Sequence, residues 1–273
     1  MKRTEASPPM KVRARRAVIE HPKVSRGARS AVAQRAGTIC GADTTDPVVA
    51  LTFDDGPDPF NTPVVLSLLA EHDARATFFV ISEQATKHPS LVKEILAAGH
   101  EVGLHGRRHI DLTDVPPWTA VRAVRGGLRQ LEAIAGAPVT LFRPPYGTQS
   151  LFTFAVARQA GMEVIGWSAS PRDFMVLELD RHVTITLEDL EPGGVVLLHD
   201  GPPSNPDRRA AVLGAVLDAI TSRGWRALSV SALLQGRAPR RCRWFFRRAP
   251  AVIEEMRPLL ISEERLTDEP GAP

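Results

Sequence analysis

From residue 46 onward, short apolar runs alternate with stretches of helical period. Seven runs read as strands: VVALTF (48–53), ATFFVI (76–81), EVGLH (101–105), VTLFR (139–143), EVIGWS (163–168), GVVLLHD (194–200) and WRALSV (225–230). They are rich in β-branched and aromatic residues over lengths that suit buried strands. Between them lie TPVVLSLLAEH, SLVKEILAAGH, PPWTAVRAVRGGLRQLEAIAG, QSLFTFAVARQAG and DRRAAVLGAVLDAITSRG. Several of these end in Gly, the residue that most readily takes the positive φ after a helix. Strands separated by helices pair in parallel. The pattern therefore predicts an α/β chain with a barrel-like or doubly wound sheet. In either, connections leaving the C-terminal ends of the strands carry the chemistry.

The first 45 residues show no sustained period and are rich in Arg, Ala, Pro and Ser. They read as a basic, disordered extension (1–45), followed by a patterned body (46–235) and a C-terminal appendage (236–273). The extension holds ten basic and three acidic residues, a balance of +7; the other 228 residues hold 24 and 28, a balance of −4. The basic surplus thus belongs to the extension, which argues against a nucleic-acid groove in the body. No apolar run approaches the roughly 20 residues of a membrane helix. The N-terminus lacks the apolar core of an export signal, so a cytoplasmic setting is expected. Cys40 and Cys242 have no metal or redox spacing and read as two free thiols, a bridge between the tails being the alternative.

Polar residues able to do chemistry gather at the ends of the strands. Asp54 and Asp55 follow the first run, His105 ends the third, Arg143 the fourth, and His199 with Asp200 the sixth. HGRRH places His105 and His109 at a spacing that puts two imidazoles on one face of a helical turn, within reach of one cation. A surface His beside a core His produces the same spacing; the neighbouring acids tip the reading toward a metal. Two His and one carboxylate make a facial triad with open positions. If the strand continues through Asp54 and Asp55, one carboxylate faces a metal and the other a water. An Asx turn before Gly56-Pro57 explains one Asp but not two. In FRPPYG (142–147), Arg143 can pair with and orient a carboxylate. In VVLLHDG (195–201), His199 emerges from an apolar strand as a candidate general acid.

TFDDGP, HGRRH, RPPYG, WSASPRDF and LLHDG occur in this order. Together they resemble the five motifs of the polysaccharide deacetylases built on the nodulation-type deacetylase domain, over about residues 46–235. WSASPRDF and LLHDGPP look especially like those of rhizobial chitooligosaccharide deacetylases. The resemblance implies a distorted (β/α) barrel of about seven parallel strands and a hydrolase that removes an N-acetyl group from an amino sugar. It implies that Asp55, His105 and His109 bind a divalent metal, usually zinc, with cobalt, manganese and nickel as alternatives. It makes Asp54 the base that activates the attacking water and His199 the acid for the leaving amine. Arg143 then orients Asp54, and Asp173 holds and tunes His199. The backbone N–H of Tyr146 helps hold the oxyanion, Leu197 lines the slot for the acetyl methyl, and Phe174 forms a wall. Three positions depart from the family pattern. Gly106 stands where the family usually has Ser or Thr, Phe174 where it usually has Trp, and Ser170 where rhizobial relatives often have an acid. Gly106 lacks the hydroxyl that braces the loop, which implies weaker metal affinity.

Two other enzyme readings share these residues: a deacetylase and a deformylase of small-molecule glycosides. A catalytically silent carbohydrate-binding barrel predicts a missing ligand, base or acid, and none is missing. RRCRWFFRRAP (240–250) interleaves arginines with Trp244, Phe245 and Phe246. It reads as a segment packing its aromatics onto the barrel, peripheral contact with an anionic membrane being the sharper alternative. Trp118 and Trp225 read as core. Trp167, at a strand end near the site, reads as a substrate platform.

Overall fold

The computed structural model describes residues 37–242 apart from residue 204. The 36 residues before this span and the aromatic and basic run from residue 243 lie outside the described residues, and with them most of the extension and most of 240–250. The strands are β1 (Thr38–Ala42), β2 (Val48–Asp54), β3 (Ala76–Val80), β4 (Glu101–Leu104), β5 (Leu141–Phe142), β6 (Glu163–Val164), β7 (Val195–His199), β8 (Arg226–Leu228) and β9 (Pro239–Cys242). The seven sequence-read strands are β2 to β8. They form one parallel sheet in the order β6-β5-β4-β3-β2-β7, with β8 also paired to β2. β8 takes the first half of β2 (Val48–Ala50), and β3 takes the second (Leu51–Asp54).

The sheet curls until its edges nearly meet. A parallel bridge, Ala169↔Val196, joins the chain just past β6 to β7, and β1 spans the same gap through Ile39↔Ile165 and Gly41↔Gly194. The result is the distorted α/β barrel that the motifs imply. Its helices are α1 (Asn61–Glu71), α2 (Ser82–Lys87), α3 (Pro89–Ala97), α4 (Pro117–Val121), α5 (Gly127–Ala135), α6 (Leu151–Gln159), α7 (Leu179–Asp189), α8 (Pro206–Ser222) and α9 (Val230–Leu234). The single helix read over PPWTAVRAVRGGLRQLEAIAG is α4 and α5 joined by a π-turn at Arg122–Gly126. α7 is absent from the sequence reading because LDRHVTITLED mixes β-branched and acidic residues with low helix propensity.

Alternation along the strands sorts the core into two layers. Val49, Leu51 and Phe53 of β2 pack outward with Leu69, Ile95 and Leu213 of the helices. Val48 and Ala50 point inward with Ile39, Phe79, Leu141 and Val195. Burying each large apolar side chain contributes roughly 1.5–3 kcal/mol. Polar Thr52 and Asp54 share the inward face with Val48 and Ala50. The barrel interior is therefore apolar at the bottom and polar at the top.

Two expectations are corrected here. Cys40 and Cys242 are not free thiols: β1 pairs antiparallel with β9 in a register that sets Thr38 opposite Cys242, and the two cysteines form a disulfide. Nothing local in either sequence segment signals the pairing, because 202 residues separate the partners. Residues 38–42 and 239–242, assigned above to the extension and the appendage, are thus strands of the folded body. Trp118 is not core but 71% exposed, on the first turn of α4. Trp225 does pack against the outer core layer. Among the described residues no helix is long and apolar enough to cross a membrane.

Cross-linking so long a loop removes much unfolded-state entropy, worth about 2–5 kcal/mol. Cys40→Ser is expected to lower Tm by roughly 5–15 °C, and reduction of the wild-type protein should do the same. Calorimetry in the presence and absence of reductant checks this; an unchanged Tm refutes it.

Candidate active site

Asp54 is the last residue of β2 and is buried on its inward face. Asp55 does not continue the alternation. Its φ of 77° turns the chain out of the strand, so both carboxylates reach the same space. His105 Nε2 lies 3.7 Å from Asp54 Oδ2 and 3.3 Å from Asp55 Oδ1. His109 Nε2 lies 3.2 Å from the same Asp55 oxygen. The HGRRH segment is not the helical turn read from its spacing. It is a bend after β4 that turns on Gly106, whose φ of 89° an L side chain rarely adopts. Gly106 therefore serves the bend. Thr148 Oγ1 donates to Asp111 Oδ1 at 2.6 Å, tying the loop after β4 to the loop after β5.

The donor set fits a cation. Asp55 Oδ1 is buried without a hydrogen bond. His105 Nδ1–H donates to the Arg143 carbonyl at 2.8 Å, so its Nε2 carries the lone pair facing Asp55. The ligand atoms of Asp55, His105 and His109 all lie within 4.8 Å of one another. Atoms bound about 2.1 Å from one tetrahedral ion sit roughly 3.4 Å apart, close to the two distances at Asp55. Burial opposes ionisation of Asp55, but His109 and His105 hold its carboxyl far below the usual carboxylate range. The approach of the chain after β7 is equally tight: a Cβ at Gly201 would lie 2.3 Å from Asp55 Cβ.

Arg143 is wholly buried, with its guanidinium 4.2 Å over the Phe79 ring. It donates to Asp54 Oδ1 at 2.8 Å, Thr52 Oγ1 at 2.7 Å and the Gly166 carbonyl at 2.9 Å. On the other flank, His199 ends β7 directly opposite Asp54 in the strand register. Its Nδ1–H donates to Asp173 Oδ1 at 2.8 Å, and its backbone N–H donates to Asp173 Oδ2 at 2.9 Å. Burial opposes the charged imidazolium, yet Asp173 raises His199 to about 9.

The remaining sequence-predicted residues divide. Phe174 stands edge-on to His199 at 5.6 Å and is 38% exposed, a wall at the mouth. Tyr146, at φ 58°, sets its ring against His109 at 4.1 Å. Leu197 lies one strand over from Thr52, two residues below His199. Trp167 packs against the interior layer and the disulfide, 5.7 Å beneath the Arg143 guanidinium. Asp200, grouped above with His199, turns away: it is buried behind Gly56, accepts from Thr62 Oγ1 at 2.6 Å, and burial raises it to about 7. Thr52 and Arg209 were not singled out from sequence. Thr52 lies two residues before Asp54, so strand alternation could have found it; Arg209, inside a helix, carried no signal.

Among the described residues, the large apolar side chains that stand exposed are Phe60, Trp118, Leu151, Phe152, Phe174, Met175, Val176 and Leu179. All follow the C-terminal ends of strands, the same end as the site. A cleft of about 600 Å³ opens between the loops after β4 and β5, lined by Leu112, Val115, Leu151 and Phe152.

A family model described as polysaccharide deacetylase matches residues 41–165. A chitooligosaccharide deacetylase of Sinorhizobium fredii is 37% identical over 198 residues, covering 69% of this chain and 92% of the relative. A peptidoglycan-N-acetylglucosamine deacetylase of Bacillus cereus is 35% identical over 190 residues, covering 69% and 88%. Among solved structures, the Bc1960 peptidoglycan N-acetylglucosamine deacetylase superposes with a TM-score of 0.71 at 27% identity, covering 78% of this chain and all of that one.

Asp55→Ala and His105→Ala are each expected to abolish stoichiometric zinc binding in calorimetric titrations. Gly201→Ala leaves every donor in place but displaces Asp55, so affinity should fall about 10–100-fold. Wild-type affinity in Gly201→Ala counts against this reading of the backbone approach.

Proposed function

The chain belongs to the polysaccharide deacetylase family, and on that premise we propose that it hydrolyses the N-acetyl group of an N-acetylglucosamine-containing glycan, releasing acetate and a free amine. The observation that carries the reading is the register pair Asp54↔His199. Asp54 and His199 stand on adjacent strand ends, flanking Asp55, His105 and His109, which supports reading one as base and the other as acid.

Asp55, His105 and His109 would hold a divalent cation, zinc being the best match to two imidazoles and one carboxylate, which would supply Lewis-acid polarisation and a lowered pKa for water. Asp54 takes the proton of the attacking water; the Arg143 guanidinium holds its other oxygen and keeps the acceptor aimed into the site. The Tyr146 backbone N–H supports the oxyanion as charge develops. His199, charged at neutral pH and locked by Asp173, gives its Nε2 proton to the departing nitrogen. Leu197 closes the slot that receives the methyl group.

A second reading, a deacetylase of small glycosides, draws support from the apolar collar around the mouth. A substrate with an apolar aglycone would cover Phe174, Met175 and Val176, which water otherwise contacts. On compartment, the Cys40–Cys242 bridge pulls against the cytoplasmic expectation, because disulfides persist in oxidising surroundings.

Acetate release from N-acetylated chitooligosaccharides, peptidoglycan fragments and aryl N-acetylglucosaminides, each with and without added zinc, tests the reading. Turnover that needs the metal supports it; no release from any acetylated sugar ends it. Asp54→Asn and His199→Ala should each cost about 10²–10⁴ in kcat. The acid form of His199 exists below its pKa. The rate is therefore expected to decline as pH rises through about 9, with the limb moved lower by the bound cation's charge. Asp173→Asn should shift that limb further down.

A further inference from the structure

We propose that Arg209 is a positioning residue that holds the Asp173–His199 pair in its proton-donating geometry; the proposal rests on the deacetylase reading for the direction of that proton. Arg209 lies in the first turns of α8, and its side chain is 10% exposed. Its Nη1 donates to Asp173 Oδ2 at 3.1 Å and to the His199 carbonyl at 2.7 Å. Its Nη2 donates to the Gly201 carbonyl at 3.0 Å. One guanidinium thus clamps the backbone on both sides of the turn that follows β7 and, through the same fork, the carboxylate facing the imidazole.

Three consequences follow from this geometry. Asp173 has no free oxygen: Oδ1 takes the imidazole N–H, and Oδ2 takes the His199 backbone N–H and Arg209. A carboxylate so held cannot rotate, and the ring it grips cannot swing its Nε2 away from the site. Burial opposes ionisation of Asp173, but His199 and Arg209 together keep it below the usual carboxylate range, so it stays an acceptor. Finally, the His199 and Gly201 carbonyls lie where the chain leaves the sheet; without Arg209 the first would lose this donor and the second would keep Asn61 Nδ2. The charged groups around His199 are Asp173 and Arg209 behind it and Asp54, Asp55 and His109 across the site. Within this set Asp173 accepts from the backbone N–H of the acid, and Arg209 donates to its carbonyl.

The leaving group separates positioning of the acid from general damage. Amide cleavage needs a proton on the departing amine. Cleavage of 4-nitrophenyl acetate does not, because the phenolate leaves unaided. In Arg209→Met, kcat/KM for an acetylated chitooligosaccharide is expected to fall about 10²-fold, the order expected for a misplaced catalytic group. Hydrolysis of 4-nitrophenyl acetate should fall less than about threefold in the same step, with zinc stoichiometry unchanged. Arg209→Lys, which keeps the charge and part of the hydrogen bonding, should recover part of the amide loss. Independently of turnover, the downfield proton resonance of His199 Nδ1–H should shift or vanish in both variants. Equal losses on the two substrates with zinc retained, no loss on either, or an unmoved resonance overturn the proposal. If Arg209→Met does not fold, Arg209→Lys is read by the same criteria. A wild-type protein that releases no acetate from sugars defeats the functional reading instead, and the resonance still decides the role of Arg209.

Discussion

The site is organised around a guanidinium buried inside the barrel. Taking the Arg143 charge out of water costs several kcal/mol, and only partners in good geometry offset that cost. The interior supplies them: Asp54 and Thr52 from β2, the Gly166 carbonyl, and the face of Phe79. The same residue's carbonyl accepts from His105 Nδ1–H. One residue thus fixes the candidate base through its side chain and a candidate metal ligand through its backbone. The inward face of β2 has to turn from apolar to polar at Thr52 because Arg143 lies over it. The apolar floor below and the chemistry above follow from that change.

The rim repeats one structural problem with several solutions. Each parallel strand ends by pointing its last backbone groups at connections that carry no sheet ladder, and those groups need partners. Side chains that serve the site also supply them. Asp173 accepts from the His199 backbone, Arg209 donates to the His199 and Gly201 carbonyls, and Asn61 Nδ2 donates to the Gly201 carbonyl at 2.9 Å. Catalytic geometry and termination of the sheet are in this way the same set of contacts. The Bc1960 peptidoglycan N-acetylglucosamine deacetylase shares the fold.

The character of the surface changes around the mouth. The candidate ligands, base and acid sit on strand ends or braced loops. Phe174, edge-on to His199, begins an exposed apolar run with Met175, Val176 and Leu179, and Leu151 and Phe152 are exposed at the start of α6. Apolar side chains left in water at a site entrance are accounted for most simply by the substrate that covers them. The β1–β9 ribbon and its disulfide close the barrel gap on the side of Trp167 and leave that mouth open.

Much of this was legible in the sequence, for a physical reason. Strand alternation and helical period are local, so VVALTF, ATFFVI, GVVLLHD and four further apolar runs declared seven parallel strands, and parallel strands place their chemistry at one end. Asp54, Asp55, His105, Arg143 and His199 could therefore be gathered before any coordinates. What the chain alone left open depends on backbone angles and long-range contacts. The turn at Asp55 that brings two adjacent carboxylates together is a matter of φ, not of pattern. The helical reading of HGRRH failed because Gly106 admits a bend that spacing cannot reveal. The Cys40–Cys242 bridge and the hold of Arg209 on Asp173 join residues 202 and 36 positions apart. Only the closing of the barrel decides which of many distant pairs come within bonding distance.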